Sequence, residues 1–200
     1  MTKRLFDLFA AALGLALLAP LMLVVALAIK LDSRGPAMFR QERVGRGGKV
    51  FRIHKFRTMA HGPRGAAEPL ITVAGDARIT RIGRRLRAAK LDELPQLIDV
   101  LAGTMSLVGP RPEVPRYVAM YPAGLRDRVL SVRPGITDPV SLRFVDESAL
   151  LARAADPERE YVERVMPQKL AAAVAYAEHA TLLSDLRVIS QTVRALLFPN

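Results

Sequence analysis

The amino-acid sequence predicts a mostly helical α+β fold with a small β element and an N-terminal broken helix that dips into a membrane and returns. Three observations lead there. Residues 8–29 carry no charge and consist chiefly of Leu, Ala and Val. Residues 39–53 place apolar and polar side chains in alternation around a glycine-rich turn. From Asp76 onward, apolar residues recur at helical spacing.

The apolar run Leu8–Ile29 holds 22 residues. As a straight helix it would measure about 33 Å, enough to span a hydrocarbon core. Pro20 sits inside it, where it removes a backbone hydrogen bond and crowds the preceding turn. A break there leaves two half-helices of about 15–20 Å each, too short to cross. Both flanks are basic: Lys3 and Arg4 precede the run, and Lys30, Arg34, Arg40 and Arg43 follow it. A spanning helix would expose one basic flank outside, whereas re-entry keeps both on the cytoplasmic side. These features favour re-entry over a spanning helix. A signal peptide is disfavoured because no clear small-residue cleavage site follows the run. The expected division is therefore a re-entrant membrane helix over 1–31 and a cytoplasmic-face domain over 32–200.

Asp32-Ser33-Arg34-Gly35-Pro36 and Gly45-Arg46-Gly47-Gly48 are turn clusters. Between and after them, Phe39–Val44 and Val50–Ile53 read as a hairpin with Phe51 and Ile53 on its buried face. Residues 61–76, rich in Gly, Pro and Ala, read as a surface loop. A helix is expected from Asp76, with Ile79, Ile82 and Leu86 on one face and Arg78, Arg81 and Arg85 on another. A second runs from about Asp92 to Leu101 and ends at Gly103. Ser106 to Pro112 forms a rigid connector. Residues 115–130 are helical, and Arg133 to Thr137 turns into a short strand. The C-terminal part, from about Glu158 to Leu197, reads as amphipathic helices broken near Met166-Pro167 and near His179. The last presents Leu182, Leu186, Ile189, Val193 and Leu196 on one face, for the core or for a membrane surface.

There is no cysteine, which excludes disulfides, zinc-thiolate sites and a cysteine nucleophile. His54, His61 and His179 are not at zinc-ligand spacing. The net charge of +11 is uneven: residues 1–90 carry 18 Lys/Arg against 5 Asp/Glu, and residues 91–200 carry 12 against 14. A basic half seeks an anionic partner, whether lipid head groups, a diphosphate or nucleic acid.

Asp92 and Glu93 are adjacent acids at a helix start, with Pro95 in the first turn. Acids there stabilise the helix dipole, and that alone explains many such pairs. The same free N–H groups favour an ionised carboxylate that attacks phosphorus or holds Mg²⁺. The surroundings point to the second use. Arg84, Arg85, Arg87 and Lys90 lie upstream, and Arg111 is fixed between Pro110 and Pro112. Guanidinium forks match phosphate oxygens in pairs. Acids ringed by bases suggest an anion site with a metal.

At these residues the chain resembles the bacterial sugar transferase family, the monotopic polyprenyl-phosphate phosphoglycosyl transferases. The resemblance rests on Lys3 to Asp7, Asp32 to Pro36 with Phe39, Gln41 and Arg43, Lys55 to Met59, Asp76 to Gly83, Leu91 to Gln96, Met105 to Pro112, and Arg133 to Thr137, all in family order. It implies a broken helix at Pro20 embedded in the cytoplasmic face of the bacterial inner membrane, although Ala19 stands where some relatives have serine. It implies that Asp92 attacks the β-phosphate of a UDP-sugar, releases UMP, and passes the phosphosugar to polyprenyl phosphate, the first membrane step of exopolysaccharide, capsule or O-antigen synthesis. Glu93 completes the dyad and Mg²⁺ is required, with Asp92 and Glu93 as its ligands. Arg87, Arg111, Pro110 and Pro112 match substrate-binding positions, and Lys55 and Arg57 are weaker candidates. The chain is expected to be the minimal form of the family.

After Thr137 the sequence departs from the common family pattern. Many members continue Gly, two variable residues, Gln and Val; this chain reads Asp138-Pro139-Val140, as in a subgroup. Two rival readings are a non-catalytic membrane-anchored adaptor and a nucleic-acid binder. The adaptor leaves the acidic pair and Pro-Arg-Pro unexplained. Nucleic-acid binding is disfavoured because aromatic residues are 6% of the chain and tryptophan is absent, so stacking platforms are sparse.

Overall fold

A computed structural model describes residues 2–60, 70–140 and 147–198. Helix α1, Thr2–Asp32, is uninterrupted across Pro20. The two separate half-helices expected from the proline are therefore one helical segment; a single missing N–H removes one bond of the ladder without ending it. Among the described residues, α1 is the one helix long and apolar enough to cross a membrane, with a mean hydropathy of 2.7 over its most apolar window. Its middle faces outward, with Leu17 69% and Leu23 72% exposed.

Both ends of α1 rest on the same body. Ala11 packs with Ile53, Val100 and Met105, and Val25 and Ile29 pack with Phe56 and Leu86. Near the start, Asp7 accepts from Ser106 Oγ (2.8 Å) and from the Leu107 N–H (3.2 Å). Lys3 donates to the Val108 carbonyl (3.1 Å) and pairs with buried Asp185. At the far end, Arg57 donates to the carbonyl of Ile29 (3.4 Å) in the last turn of α1 and to those of Ser33 (2.8 Å) and Arg34 just past it.

The expected hairpin is present. Strands β1, Met38–Val44, and β2, Val50–Phe56, pair antiparallel with Arg40 opposite His54 and Phe39 opposite Lys55. Gly47 and Gly48 take positive φ in the connecting turn, as glycine permits. Residues 61–69 of the expected loop, and Ser141 to Asp146, lie outside the described residues.

Helix α2, Arg81–Ala88, begins later than its apolar periodicity suggested. Asp76 captures the Arg78 N–H (3.0 Å) in a local turn, and Thr80 caps the helix by accepting from Gly83 N. Leu91–Glu93 is a single 3₁₀ turn, and α3, Gln96–Ala102, follows it, ending at left-handed Gly103 as expected. Part of the expected connector is strand β3, Ser106–Val108, paired parallel with β4, Gly135–Thr137. The single helix expected over 115–130 is two, α4 (Pro115–Val118) and α5 (Ala123–Val129), parted before Pro122.

Helices α6 (Glu147–Ala152), α7 (Pro157–Glu160), α8 (Met166–His179) and α9 (Leu182–Leu197) complete the fold. Met166-Pro167 does not break the chain into separate helices. A π turn over Tyr161–Val165 carries α7 into α8, and Pro167, second residue of α8, sits where the backbone ladder changes register, so its missing N–H does not end the helical segment. The break near His179 is real, and Thr181 and Ser184 form a capping box there. The described chain is mostly helical with two small sheets, matching the expected class.

Candidate active site

The site is built where β2, the turn after α2, and the segment after β3 converge. Gly83 brings α2 against the end of β2; a Cβ there would lie 2.0 Å from the Thr58 carbonyl oxygen, so only glycine fits. Helix α2 gives way to Lys90, which has φ 54 and is the one non-glycine residue with positive φ among those described. That left-handed residue costs about 1–3 kcal/mol and swings the chain into the 3₁₀ turn carrying the dyad.

Asp92 is 2% exposed. Lys55 Nζ lies 2.9 Å from Asp92 Oδ2 and 3.2 Å from Glu93 Oε1, so one ammonium bridges both acids. Strand alternation delivers it, since Lys55 shares the inward face of β2 with Phe51 and Ile53. Arg111 grips Glu93 with two nitrogens, Nη2 to Oε1 at 2.6 Å and Nη1 to Oε2 at 3.3 Å. Burial would raise the Glu93 pKa, but the charges of Arg111 and Lys55 outweigh it and hold the carboxyl well below the usual carboxylate range. Glu93 in turn pushes the Arg111 pKa up.

Arg111 is presented by a rigid mount. Pro110 and Pro112 are buried while Arg111 between them is exposed. The Pro110 carbonyl accepts from Gly135 N (3.0 Å), and Gly109 N donates to Thr137 O (3.1 Å). Gly109 has no room for a side chain, since a Cβ would stand 2.3 Å from the Arg133 carbonyl oxygen. The Pro112 carbonyl accepts from Arg43 Nη1 (2.9 Å), and Glu113 accepts from Arg43 (3.4 Å) and from the Tyr161 hydroxyl.

The structure thus brings together Asp92, Glu93, Lys55 and Arg111, with Pro110 and Pro112 holding the last. It leaves two sequence candidates elsewhere. Arg57 is buried, donating to carbonyls in and just beyond the last turn of α1. Arg87 directs Nη1 to Thr58 Oγ1 at 3.4 Å, on the α2 side of the dyad. Of the upstream cations, Arg84, Arg85 and Lys90 are exposed.

Sequence reasoning missed Asp99 and His54. Asp99, 2% exposed on α3, accepts from the His54 backbone N–H (2.8 Å) and meets its Nδ1 (2.8 Å), locking α3 to β2 beside Lys55. The available signal was an acid inside the apolar stripe Leu97, Ile98, Val100, Leu101. It also missed Glu113 as the anchor behind the Arg111 mount.

Among the described residues no group of three or more His, Cys, Asp or Glu gathers into a metal cage. The dyad offers two carboxylates beside cations suited to phosphate. That donor set fits Mg²⁺, which takes one or two carboxylates and fills its remaining positions from water and substrate phosphates.

Comparison with known proteins agrees with the motifs. The family model described as bacterial sugar transferase matches residues 1–199. The UDP-glucose:undecaprenyl-phosphate glucose-1-phosphate transferase of Caulobacter vibrioides is 44% identical, over 98% of this chain and 69% of that protein. The UDP-N-acetylgalactosamine-undecaprenyl-phosphate N-acetylgalactosaminephosphotransferase of Aeromonas hydrophila is 37% identical, over 98% of this chain but only 43% of its own length. The exopolysaccharide production protein PSS of Rhizobium leguminosarum is 36% identical, over 96% of this chain and 92% of that protein. The motifs, the dyad and these matches lead to one conclusion: the chain belongs to the bacterial sugar transferase family, a family of transferase enzymes.

Proposed function

We propose that this protein transfers a sugar phosphate from a UDP-sugar to polyprenyl phosphate at the cytoplasmic face of the inner membrane, through a covalent phosphosugar on Asp92. The observation that carries the reading is a buried carboxylate, Asp92, bridged to its neighbour by Lys55 and flanked by the Glu93–Arg111 fork. The names of the relatives supply the donor and acceptor classes.

Asp92 Oδ attacks the β-phosphorus while the bond from that phosphorus to the bridging oxygen of the α-phosphate breaks. UMP departs with the bonding pair. An oxygen of polyprenyl phosphate then attacks the same phosphorus and frees the Asp92 carboxylate. Lys55 and Arg111 neutralise the phosphate oxygens as charge shifts onto the leaving groups. Asp92 and Glu93 would hold Mg²⁺, which when bound would supply further charge neutralisation. The mount beneath Arg111 keeps the guanidinium aimed without reorganisation.

Two features of α1 support re-entry. Its outward middle is apolar, and its two ends share one body. Ala11 and Ile29 are about 27 Å apart along a straight helix, yet they pack near Ile53 and Phe56, about 10 Å apart along β2. A bend at Pro20 reconciles the two spans.

The decisive assay is UMP release from UDP-sugars by the chain in detergent, with and without polyprenyl phosphate. Asp92→Asn is expected to lower release by about a thousandfold or more while melting normally; full turnover in that variant rules Asp92 out as nucleophile. Single cysteines at positions 2 and 60 should label from the same membrane face.

A further inference from the structure

Each acid of the dyad already has a cation in contact with it, and buried Asp138 also acts on Arg111. Asp92 and Glu93 bring two negative charges, and Lys55 and Arg111 bring two positive ones within 2.6–3.3 Å. Lys55 stands where one cation touches both acids. Asp92 Oδ2, an attacking oxygen in the reading above, lies 2.9 Å from its ammonium. Both Glu93 oxygens accept from Arg111.

We infer that Lys55 is the resident counter-ion of the dyad and withholds it from divalent cations until a nucleoside diphosphate draws the ammonium away. The inference rests on the dyad being the sugar-phosphate site. Its physical basis is charge and mobility. Carboxylate oxygens already in contact with an ammonium attract a bare dication weakly, and Mg²⁺ surrenders its waters reluctantly. A diphosphate carries more charge than either carboxylate and competes for the cations. Lysine is a point charge on a flexible stem, and the Lys55 side chain is 21% exposed, so its head can shift to phosphate without unpacking β2. Arg111, on its rigid mount, stays. The shift uncovers Asp92 Oδ2 only when substrate is present. Donor therefore binds before the metal or together with it, and Lys55 has a role in both states.

The test is a Mn²⁺ titration of the full chain in detergent, with free ion read by electron paramagnetic resonance. Without nucleotide the parent protein is expected to bind weakly. Lys55→Met and Lys55→Gln should each tighten Mn²⁺ binding by about tenfold or more, because one positive charge is lost at contact distance. Either variant serves if the other fails to fold. Lys55→Arg, which keeps the charge, should stay weak, and adding Asp92→Asn to Lys55→Met should abolish the gain. UDP added to the parent protein should raise bound Mn²⁺ above what UDP binds alone. Equal Mn²⁺ affinity in the parent and the neutral variants overturns the inference, as does a gain that survives Asp92→Asn or a parent protein that ignores UDP. None of these readings is a turnover, so they can fail while UMP release succeeds, and the reverse.

Discussion

Two regions of this molecule hold buried carboxylates beside a lysine, and they differ in what else touches the acids. At the start of α1, Asp185 receives Lys3 and the Tyr176 hydroxyl (2.6 Å), while Asp7 receives Ser106 Oγ and the Leu107 N–H. Hydroxyls and backbone close that cluster, and it ties α1, β3, α8 and α9 together. At the dyad, Asp92 and Glu93 are held by the side-chain cations Lys55 and Arg111, and the exposed face of Arg111 opens to solvent. Neutral donors in fixed places make a staple. Mobile charges that a phosphate can recruit make a site. A buried acid–lysine contact therefore does not by itself distinguish structure from chemistry; the remaining ligands do.

The sharpest way to break this comparison is a matched pair of substitutions. Asp92→Asn should remove UMP release with little change in melting. Asp185→Asn should do the opposite, costing about 1–3 kcal/mol of stability, because Tyr176 and Lys3 lose a charged acceptor, with activity per folded molecule kept. Thermal melts and initial rates on both variants decide it; a stable but inactive Asp185→Asn protein would erase the distinction.

A smaller effect concerns acid stability. The Glu93 pKa is depressed in the fold, so its ion pairs stabilise fully above the unfolded carboxyl value of about 4.3. That contribution declines as pH falls below this value toward the lower folded pKa. The stability difference between the parent and Glu93→Gln should therefore be flat from pH 8 to about 5 and shrink below about pH 4.3. Chemical denaturation across that range checks it, and a difference that grows as pH falls would mean that burial, not the cations, governs Glu93 in the folded protein.

The smallest expected effect is at Lys90. Lys90→Gly relieves a left-handed lysine but adds unfolded-state freedom, so a net gain of at most about 1 kcal/mol is expected. Unchanged kcat would show that the turn needs only the backbone conformation; a fall in kcat with stability retained would show that rigidity at Lys90 aims the dyad.

Much of the fold was legible in the residues. The hairpin over 38–56 followed from alternation and glycine, Gly103 from its place after an apolar stripe, and the break near His179 from the pattern around it. Other elements were not. The helical periodicity from Asp76 did not reveal that Asp76 would spend its carboxylate on Arg78, delaying α2 to Arg81. Nothing local marked Ser106–Val108 as a strand, because its partner β4 lies nearly thirty residues on. At the site, Asp92, Glu93 and Arg111 were legible because they sit in short, unusual strings. The arginines just upstream were weighted by nearness in sequence, whereas the cation that bridges the dyad, Lys55, arrives from a strand 37 residues earlier.

By itself, the sequence determined that the chain carries an apolar helix with basic flanks, an acidic pair at a turn, and an arginine set between prolines. These follow from local hydropathy, φ restriction and charge spacing. Only the tertiary structure decided that Lys55 rather than the upstream arginines clamps the dyad, that Arg57 caps α1, and that Pro20 leaves the helix whole. The physical reason is that each of these outcomes depends on which distant carbonyl or carboxylate a side chain meets, and that pairing exists only once the chain has packed.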